Sequence, residues 1–585
     1  MRTLVRDEFA EIGFTINDNS ILDKLVELLR LYNKRPSELA NEWLAFSLKQ
    51  TDASLSLETL ELWEQKELRT FKGFQRETHV YTKKDIHSAL DDDGLLASYG
   101  EGSQPISKRS GDGMKTPDQR ATKYRRTGRG HTPAEFQSPS LFSQSFSVPP
   151  TPFTERSNAG EVCCELPNEA DESLAALWEG TGASVRVSFA TETEGKPTKY
   201  MFQKLLDKIA VLNDQIEEKE DQYVAKYQLE ELDHVDMPKQ ETVTVVGRVC
   251  CDSEGKLNTQ SILLEGSVKT SGGRSVHLDV ADMKEYSLFS GQIVAVSGVN
   301  NSGGQSKLVA LRLFTSVMEK PPPIEKETEG PLSVLIATGP FTTSSNLFYE
   351  PLDSLLSLVE REPPDVLILL GPFVDSDHPN VKNFDMDVTF QQLFIDVVEN
   401  KIFAKLKSLP TKVVLVPSQR DVHHDYVYPQ PAFSVTNKPE NVYMAPDPAT
   451  ITLNGIVFGL TSTDVLPHIR SNEIANLPTG SDRLAILAKH LLHQRHYYPL
   501  YPPHESVNFD CQRSAEGCSM PVTPHVLVLP SNLKTFTKNL DGVVCVNPGR
   551  LSKGQGGGTY ARLKLFPESN ALSVADACVA QVVRI

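Results

Sequence analysis

The sequence predicts a multidomain chain: an N-terminal α-helical bundle (residues 1–75), a disordered linker (76–199), a helical lead-in (200–238), a small β-barrel (239–318) and an α/β sandwich (319–585). Three observations predict it. Apolar residues follow helical spacing up to about residue 70, lose all period, and then alternate with period two from about residue 241. Pro321-Pro322-Pro323 closes the period-two stretch, and apolar strand-like runs then alternate with helical stretches to Ile585. At 585 residues the chain also exceeds the size at which a single core keeps growing.

In the first segment Ile21, Leu25, Leu28, Leu29 and Tyr32 fall on one helical face, with Asp18, Asn19 or Ser20 available as its cap. Pro36 suits the first turn of a helix carrying Leu39, Trp43, Leu44 and Phe46, and residues 57–68 supply a last helix. Such stripes ordinarily make a bundle's own core, and a docking module on a tether is the functional alternative. From about residue 78 to 199 Ser, Thr, Pro, Gly and charged residues dominate, as expected of a linker too poor in apolar residues to fold. It carries Thr116-Pro117, Thr132-Pro133, Ser138-Pro139 and Thr151-Pro152, so Thr116, Thr132, Ser138 and Thr151 are candidate sites for proline-directed phosphorylation. Pro-rich linkers also contain such pairs by composition alone. Lys108-Arg109 and Lys123-Tyr124-Arg125-Arg126 read as a nuclear import signal or a solvated charge cluster.

Helical spacing returns at Phe202, Leu205, Ile209, Leu212 and Ile216. Five short strands follow, around Val243–Val249 in turn with residues 262–264, 276–280, 293–296 and 308–313, separated by Gly-rich turns, and they read as a small barrel. Aromatic residues for base stacking are scarce there, Tyr286 and Phe289 being the nearest, so protein contact is favoured over nucleic acid, whose contact is expected to be weak or indirect. In the last region strands are expected at 333–337, 365–370, 412–416, 451–460, 525–529 and 543–546, with helices near 352–360, 390–406 and 483–493.

A formal net charge of −17 argues against a surface that grips phosphates all over, although a local basic patch is compatible with it. Eight Cys without a Cys-x-x-Cys motif, and no secretory apolar stretch near Met1, fit reduced thiols in a cytosolic or nuclear protein. No apolar run approaches the roughly 18 residues of a membrane span.

Three loops in the last region stand where a two-metal phosphoesterase would hold its ions. The first reads Thr338-Gly339-Pro340-Phe341 where Asp-x-His is needed, and neither Thr338 nor Pro340 replaces those ligands. The second reads Gly371-Pro372-Phe373-Val374-Asp375 where the enzyme pattern is Gly-Asp-x-x-Asp, so Pro372 removes the carboxylate that bridges both metals. The third reads Ser418-Gln419-Arg420-Asp421 in place of Gly-Asn-His-Asp, and Arg420 adds a fixed cation. Two hard divalent ions need a bridging carboxylate and several further oxygen or imidazole ligands, of which Asp375 and Asp421 alone persist. Loop hydrogen bonding, with Asp421 bonded to nearby backbone or to Arg420, is the ordinary expectation for them. The spacing of His490, His493 and His496 admits a zinc site, but surface His pairs of this kind usually hold no metal. Residues 554–559 superficially resemble a phosphate cradle yet lack Gly-Lys-Ser/Thr, which favours a turn. No cofactor is expected.

Together with Val246-Gly247-Arg248-Val249 and its Cys-Cys pair, residues 291–298, and Val546-Asn547-Pro548-Gly549-Arg550-Leu551, these loops resemble the B subunits of eukaryotic replicative DNA polymerases, most closely those serving polymerase alpha and primase. The resemblance runs over nearly the whole chain apart from the linker. It implies an OB fold for the barrel and an inactivated calcineurin-like phosphoesterase fold for the sandwich. It also implies a nuclear, non-catalytic scaffold holding the C-terminal domain of the catalytic polymerase subunit and linking it to primase subunits, with other replication proteins reached through the N-terminal bundle. The alternative is a divergent metal-dependent phosphoesterase, and the missing ligands weigh against it.

Overall fold

The computed structural model describes residues 151–166, 178–182, 184–190, 199–229, 231–253, 255–301, 307–324, 330–566 and 573–585, with scattered positions among the first 60. It divides into two compact units, residues 1–131 and 132–585. In the first unit the described positions Val5, Phe9, Leu22, Leu25, Leu28, Trp43 and Leu60 are helical and buried. The bundle expected around them, the candidate sites Thr116, Thr132 and Ser138, and the basic clusters fall outside the described residues.

In the second unit, strands Lys239–Cys251, Ile262–Glu265, Ser275–Asp279, Lys307–Phe314 and Ile293–Asn301 close into a barrel in that order around the ring. Alternation points Val243, Val245 and Val249 inward against Ile262, Leu264, Val276 and Leu278. The opposite face is not left to water. Val246, Ile293 and Ala295 are covered by Ile216 and Tyr223 of the helix Leu205–Tyr227, whose Tyr223 hydroxyl donates to the Ile293 carbonyl at 2.9 Å. The expected apolar face of this helix is thus buried only in its second half; Phe202, Leu205 and Leu206 are more than 70% exposed.

The remaining strands form two stacked sheets. One has seven strands, in the order Val162–Leu166, Cys578–Arg584, Thr559–Leu565, Leu332–Thr338, Val366–Leu370, Lys412–Val416 and Val442–Met444. The other has six, in the order Phe536–Leu540, Val543–Asn547, Val526–Val528, Ile456–Leu460, Ala449–Leu453 and Val187–Phe189. The run Val366–Leu370 is apolar throughout because both its faces are covered. Leu367 and Leu369 meet Leu352, Leu355 and Phe394 from the helices outside, while Val366, Ile368 and Leu370 meet Phe458, Leu460 and Val526 of the second sheet.

Two expectations are corrected. The stretch 451–460 is not one strand but a hairpin, Ala449–Leu453 and Ile456–Leu460, turned at Asn454-Gly455 where both residues have positive φ. The segment 76–199 is not linker throughout. Phe153 is buried in the outer core, Val162–Leu166 pairs antiparallel with Cys578–Arg584, and Val187–Phe189 pairs with Ala449–Leu453. The segment thereby covers one edge of each sheet, and edge pairing needs backbone groups rather than a strong apolar pattern, which is why the composition concealed it.

Barrel and sheets are locked together by backbone and buried polar contacts. Strand Tyr286–Phe289 pairs antiparallel with Glu473–Asn476. The Gln494 amide exchanges two 3.0 Å hydrogen bonds with the backbone of Ile293, and Tyr501 N–H donates to the Ser290 carbonyl at 3.0 Å. The fully buried Glu473 carboxylate accepts from Arg483 at 2.5 Å, from Ser287 and from His490. Burial opposes its charge, yet His490, Ser287 and Arg483 hold it below the usual carboxylate range.

Candidate functional site

Parallel strands Leu332–Thr338, Val366–Leu370 and Lys412–Val416 end side by side, so their following loops converge at one sheet edge. A Cβ added at Gly339 would sit 2.0 Å from the Pro372 carbonyl, and one at Gly371 would meet the Asp421 carboxylate at 2.5 Å. Glycine at these two positions is what lets the three loops touch.

Asp421 is the knot. Its Oδ1 accepts from Phe373 N–H at 2.5 Å and Val374 N–H at 2.9 Å, and its Oδ2 accepts from Ser418 N–H at 2.9 Å. Both oxygens are therefore occupied by backbone donors that fasten the third loop to the second. Burial pushes its carboxyl up to about 7 against those three donors, and the nearby Asp375 adds to the rise. Asp375 faces Asp421 across an isolated backbone bridge, and its side chain takes the Arg420 guanidinium in a bidentate pair, Nε to Oδ1 at 2.9 Å and Nη2 to Oδ2 at 2.6 Å. Arg420 thus pairs with Asp375, not with Asp421 as one alternative had it, and it also lies 3.3 Å from Asp377.

The volume behind the loop tips is apolar. Phe341 and Phe373, each about 1% exposed, stack at 5.0 Å between centroids, and Phe433 meets Phe373 edge-on at 5.6 Å. Thr338 Oγ1 and Gln419 Oε1 are buried and make no hydrogen bond. Pro340 and Pro372 offer no side-chain donor atom. His423 and His424, next to the motif, are packed against Phe394 and Phe433, and burial pushes His423 down to about 3. Among the described residues no group of three or more His, Cys, Asp or Glu is placed to hold a metal ion.

Sequence reasoning did not single out Arg550 or Asp377. Arg550 is 9% exposed, with Nη2 3.7 Å from Asp464, and burial lowers its guanidinium while Arg420 and Asp375 act on it from the same cluster. Its place in the segment 546–551 was the available signal. The three histidines do not share a helical face. The helix Arg483–Gln494 ends before His496, with Arg495 in the left-handed conformation; His490 bonds Ser287 and Glu473, and His493 lies 3.5 Å from Asp541. Residues 554–559 make a tight turn between Ser552–Lys553 and Gly556–Gly557, then a sheet strand. Thr151 is exposed just before the buried Phe153, in a segment fastened by Phe153 N–H to the Gln555 carbonyl at 3.0 Å.

Three family models match the chain: that of the N-terminal region of the DNA polymerase alpha B subunit over residues 3–69, that of the OB domain of the DNA polymerase alpha B subunit over 209–315, and that of the DNA polymerase alpha/epsilon B subunit over 334–538. Among curated proteins, the chain is 36% identical to the DNA polymerase alpha B subunit of Mus musculus, with 97% of each chain covered. It is 36% identical to that of Rattus norvegicus over the same shares, and 29% identical to that of Schizosaccharomyces pombe over 95% of each.

Proposed function

The chain belongs to the family of DNA polymerase alpha B subunits, and from that premise we propose that it is the accessory subunit of a polymerase alpha–primase complex, supporting RNA–DNA primer synthesis at the start of replication. In this reading the barrel is its OB domain and the two-sheet unit is a phosphoesterase-like fold without catalysis. It works as a nuclear scaffold that holds the C-terminal domain of the catalytic subunit and connects it with primase subunits, its N-terminal helical region reaching other replication proteins.

One observation carries the non-catalytic part. In the loop cluster where an enzyme would hold two metals both remaining acids are already engaged, since Asp421 accepts from three backbone N–H groups and Asp375 is neutralised by Arg420. A pair of divalent ions would have to displace a guanidinium and strip those amides, leaving buried donors unpaired at a cost of about 1–3 kcal/mol each. The alternative of a divergent phosphoesterase is not favoured by this geometry. The purified protein is expected to show no hydrolysis of phosphomonoesters or phosphodiesters with manganese, magnesium or zinc. Metal-dependent turnover that survives purification and disappears in both Asp375→Ala and Asp421→Ala would overturn it.

A further inference from the structure

A second polar cluster lies away from the loops, where the helix Leu205–Tyr227, the barrel and the chain after the helix Arg483–Gln494 enclose a cavity of about 50 Å³. That is room for a few waters or one small anion. Lys219, Arg248 and His496 line it, and no Asp or Glu does. Arg248 is 2% exposed and is fixed by Nη2 donating to the Leu212 carbonyl at 2.6 Å and to Gln215 at 3.1 Å. Its nearest carboxylate, Glu265, is 3.8 Å from Nη1 and lies outside the lining. Lys219 donates to Gln222 at 3.0 Å and has no carboxylate within ion-pair distance among the described residues. His496 accepts the Tyr498 N–H at Nδ1, so in the neutral ring the proton sits on Nε2, and that atom is buried with no partner.

A buried N–H donor without an acceptor is costly, and of the two cations lining a cavity without acids only Arg248 has a carboxylate, that of Glu265, within 4 Å among the described residues. Both defects are removed by the same ligand chemistry. We propose that this cavity binds one small oxyanion, a phosphate or a carboxylate group, between Lys219 and the His496 Nε2–H with Arg248 behind them. The arrangement supplies the charged and neutral N–H donors such a group accepts, in a lining that also holds the amides of Gln215 and Gln494 and the apolar side chains of Leu212 and Ile293. Burial brings the Lys219 ammonium down to about 8, Glu218 opposing and Arg495 adding to the fall.

The test uses the full chain and an amine-acylating reagent at pH 8, with labelling of Lys219 read by mass spectrometry. An anion that raises the Lys219 pKa by about one unit would cut its neutral fraction from about half to about a tenth, a roughly fivefold fall in labelling. Inorganic phosphate and glutarate, each at about 20 mM against chloride at matched ionic strength, form the two arms. Protection by phosphate alone assigns the site to a tetrahedral ion, and protection by glutarate alone assigns it to a carboxylate. His496→Phe should keep Lys219 reactive but lose the protection. A parallel reading is the rise in Tm with the protecting anion, which Lys219→Met should abolish. If neither anion protects Lys219 beyond chloride, or if His496→Phe is protected as well as the unaltered chain, the site does not bind oxyanions.

Discussion

Arg420 and Asp421 are neighbours in sequence with opposite tasks, and the difference is testable at single residues. Arg420 neutralises a carboxylate that is 7% exposed, so Arg420→Ala leaves Asp375 buried and unpaired; being itself one-third exposed, the arginine should cost about 2–3 kcal/mol when removed. Urea unfolding should show most of that loss recovered in the double variant with Asp375→Ala, and equal loss in both would remove the pair's structural role. For Asp421 the folded carboxyl titrates at about 7, above the ordinary value near 4, so the folded state binds the extra proton between those limits. Stability from this group is full below about pH 4 and is lost as pH rises through about 7. Asp447, at about 6 through burial, acts in the same direction, whereas His423 and His496, held near 3, favour folding as pH rises. The net slope therefore mixes opposing groups, and the informative quantity is a difference. The stability advantage of the unaltered chain over Asp421→Asn should shrink from pH 5 to pH 8 by an amount on the order of a few kcal/mol. A constant gap would show that the three backbone donors keep the carboxylate ionised throughout.

Among the elements, the segment 151–190 is the one whose removal the composition would have called harmless. Phe153 lies in the outer core with the Arg156 guanidinium 3.6 Å over its ring, and Arg156 also donates to the Ile585 carbonyl at 2.9 Å. Phe153→Ala should cost about 3 kcal/mol through lost burial and the cavity left behind. A fragment beginning at residue 200 bares one edge of each sheet, so it should unfold at lower urea than one beginning at 151 and should associate through the exposed edges. Equal midpoints and a monodisperse shorter fragment would show the covering strands to be dispensable. At this scale the strands of the barrel and the parallel sheet were legible from their period and from apolar runs such as 366–370. Strands Val187–Phe189 and Glu473–Asn476 were not, because each is short, half exposed and specified by its pairing partner.

For the whole molecule, the Gln494 clamp on Ile293, the ladder between Tyr286–Phe289 and Glu473–Asn476, and the buried Glu473 cluster tie the barrel to the sheets. A stable protein–protein interface buries on the order of 1,200 Å² or more, which a two-domain surface can present without ordering cost. A fragment of residues 151–585 should co-purify with the C-terminal domain of the catalytic polymerase subunit through size-exclusion chromatography, and residues 1–131 alone should not. The reverse result would move the interface to the N-terminal unit. Sequence by itself determined that the chain has several units, that one is a small barrel, and that Pro340, Pro372 and Arg420 bring no metal-ligating atom to the three loops read as a lost metal site, because period and side-chain chemistry are local properties. Only the tertiary structure decided that Arg420 closes on Asp375, that Asp421 ties two loops through backbone amides, and that Lys219, Arg248 and His496 share one cavity. Those arrangements join residues 29 to 277 positions apart, whose proximity follows from sheet register and domain packing and leaves no periodic trace in the chain.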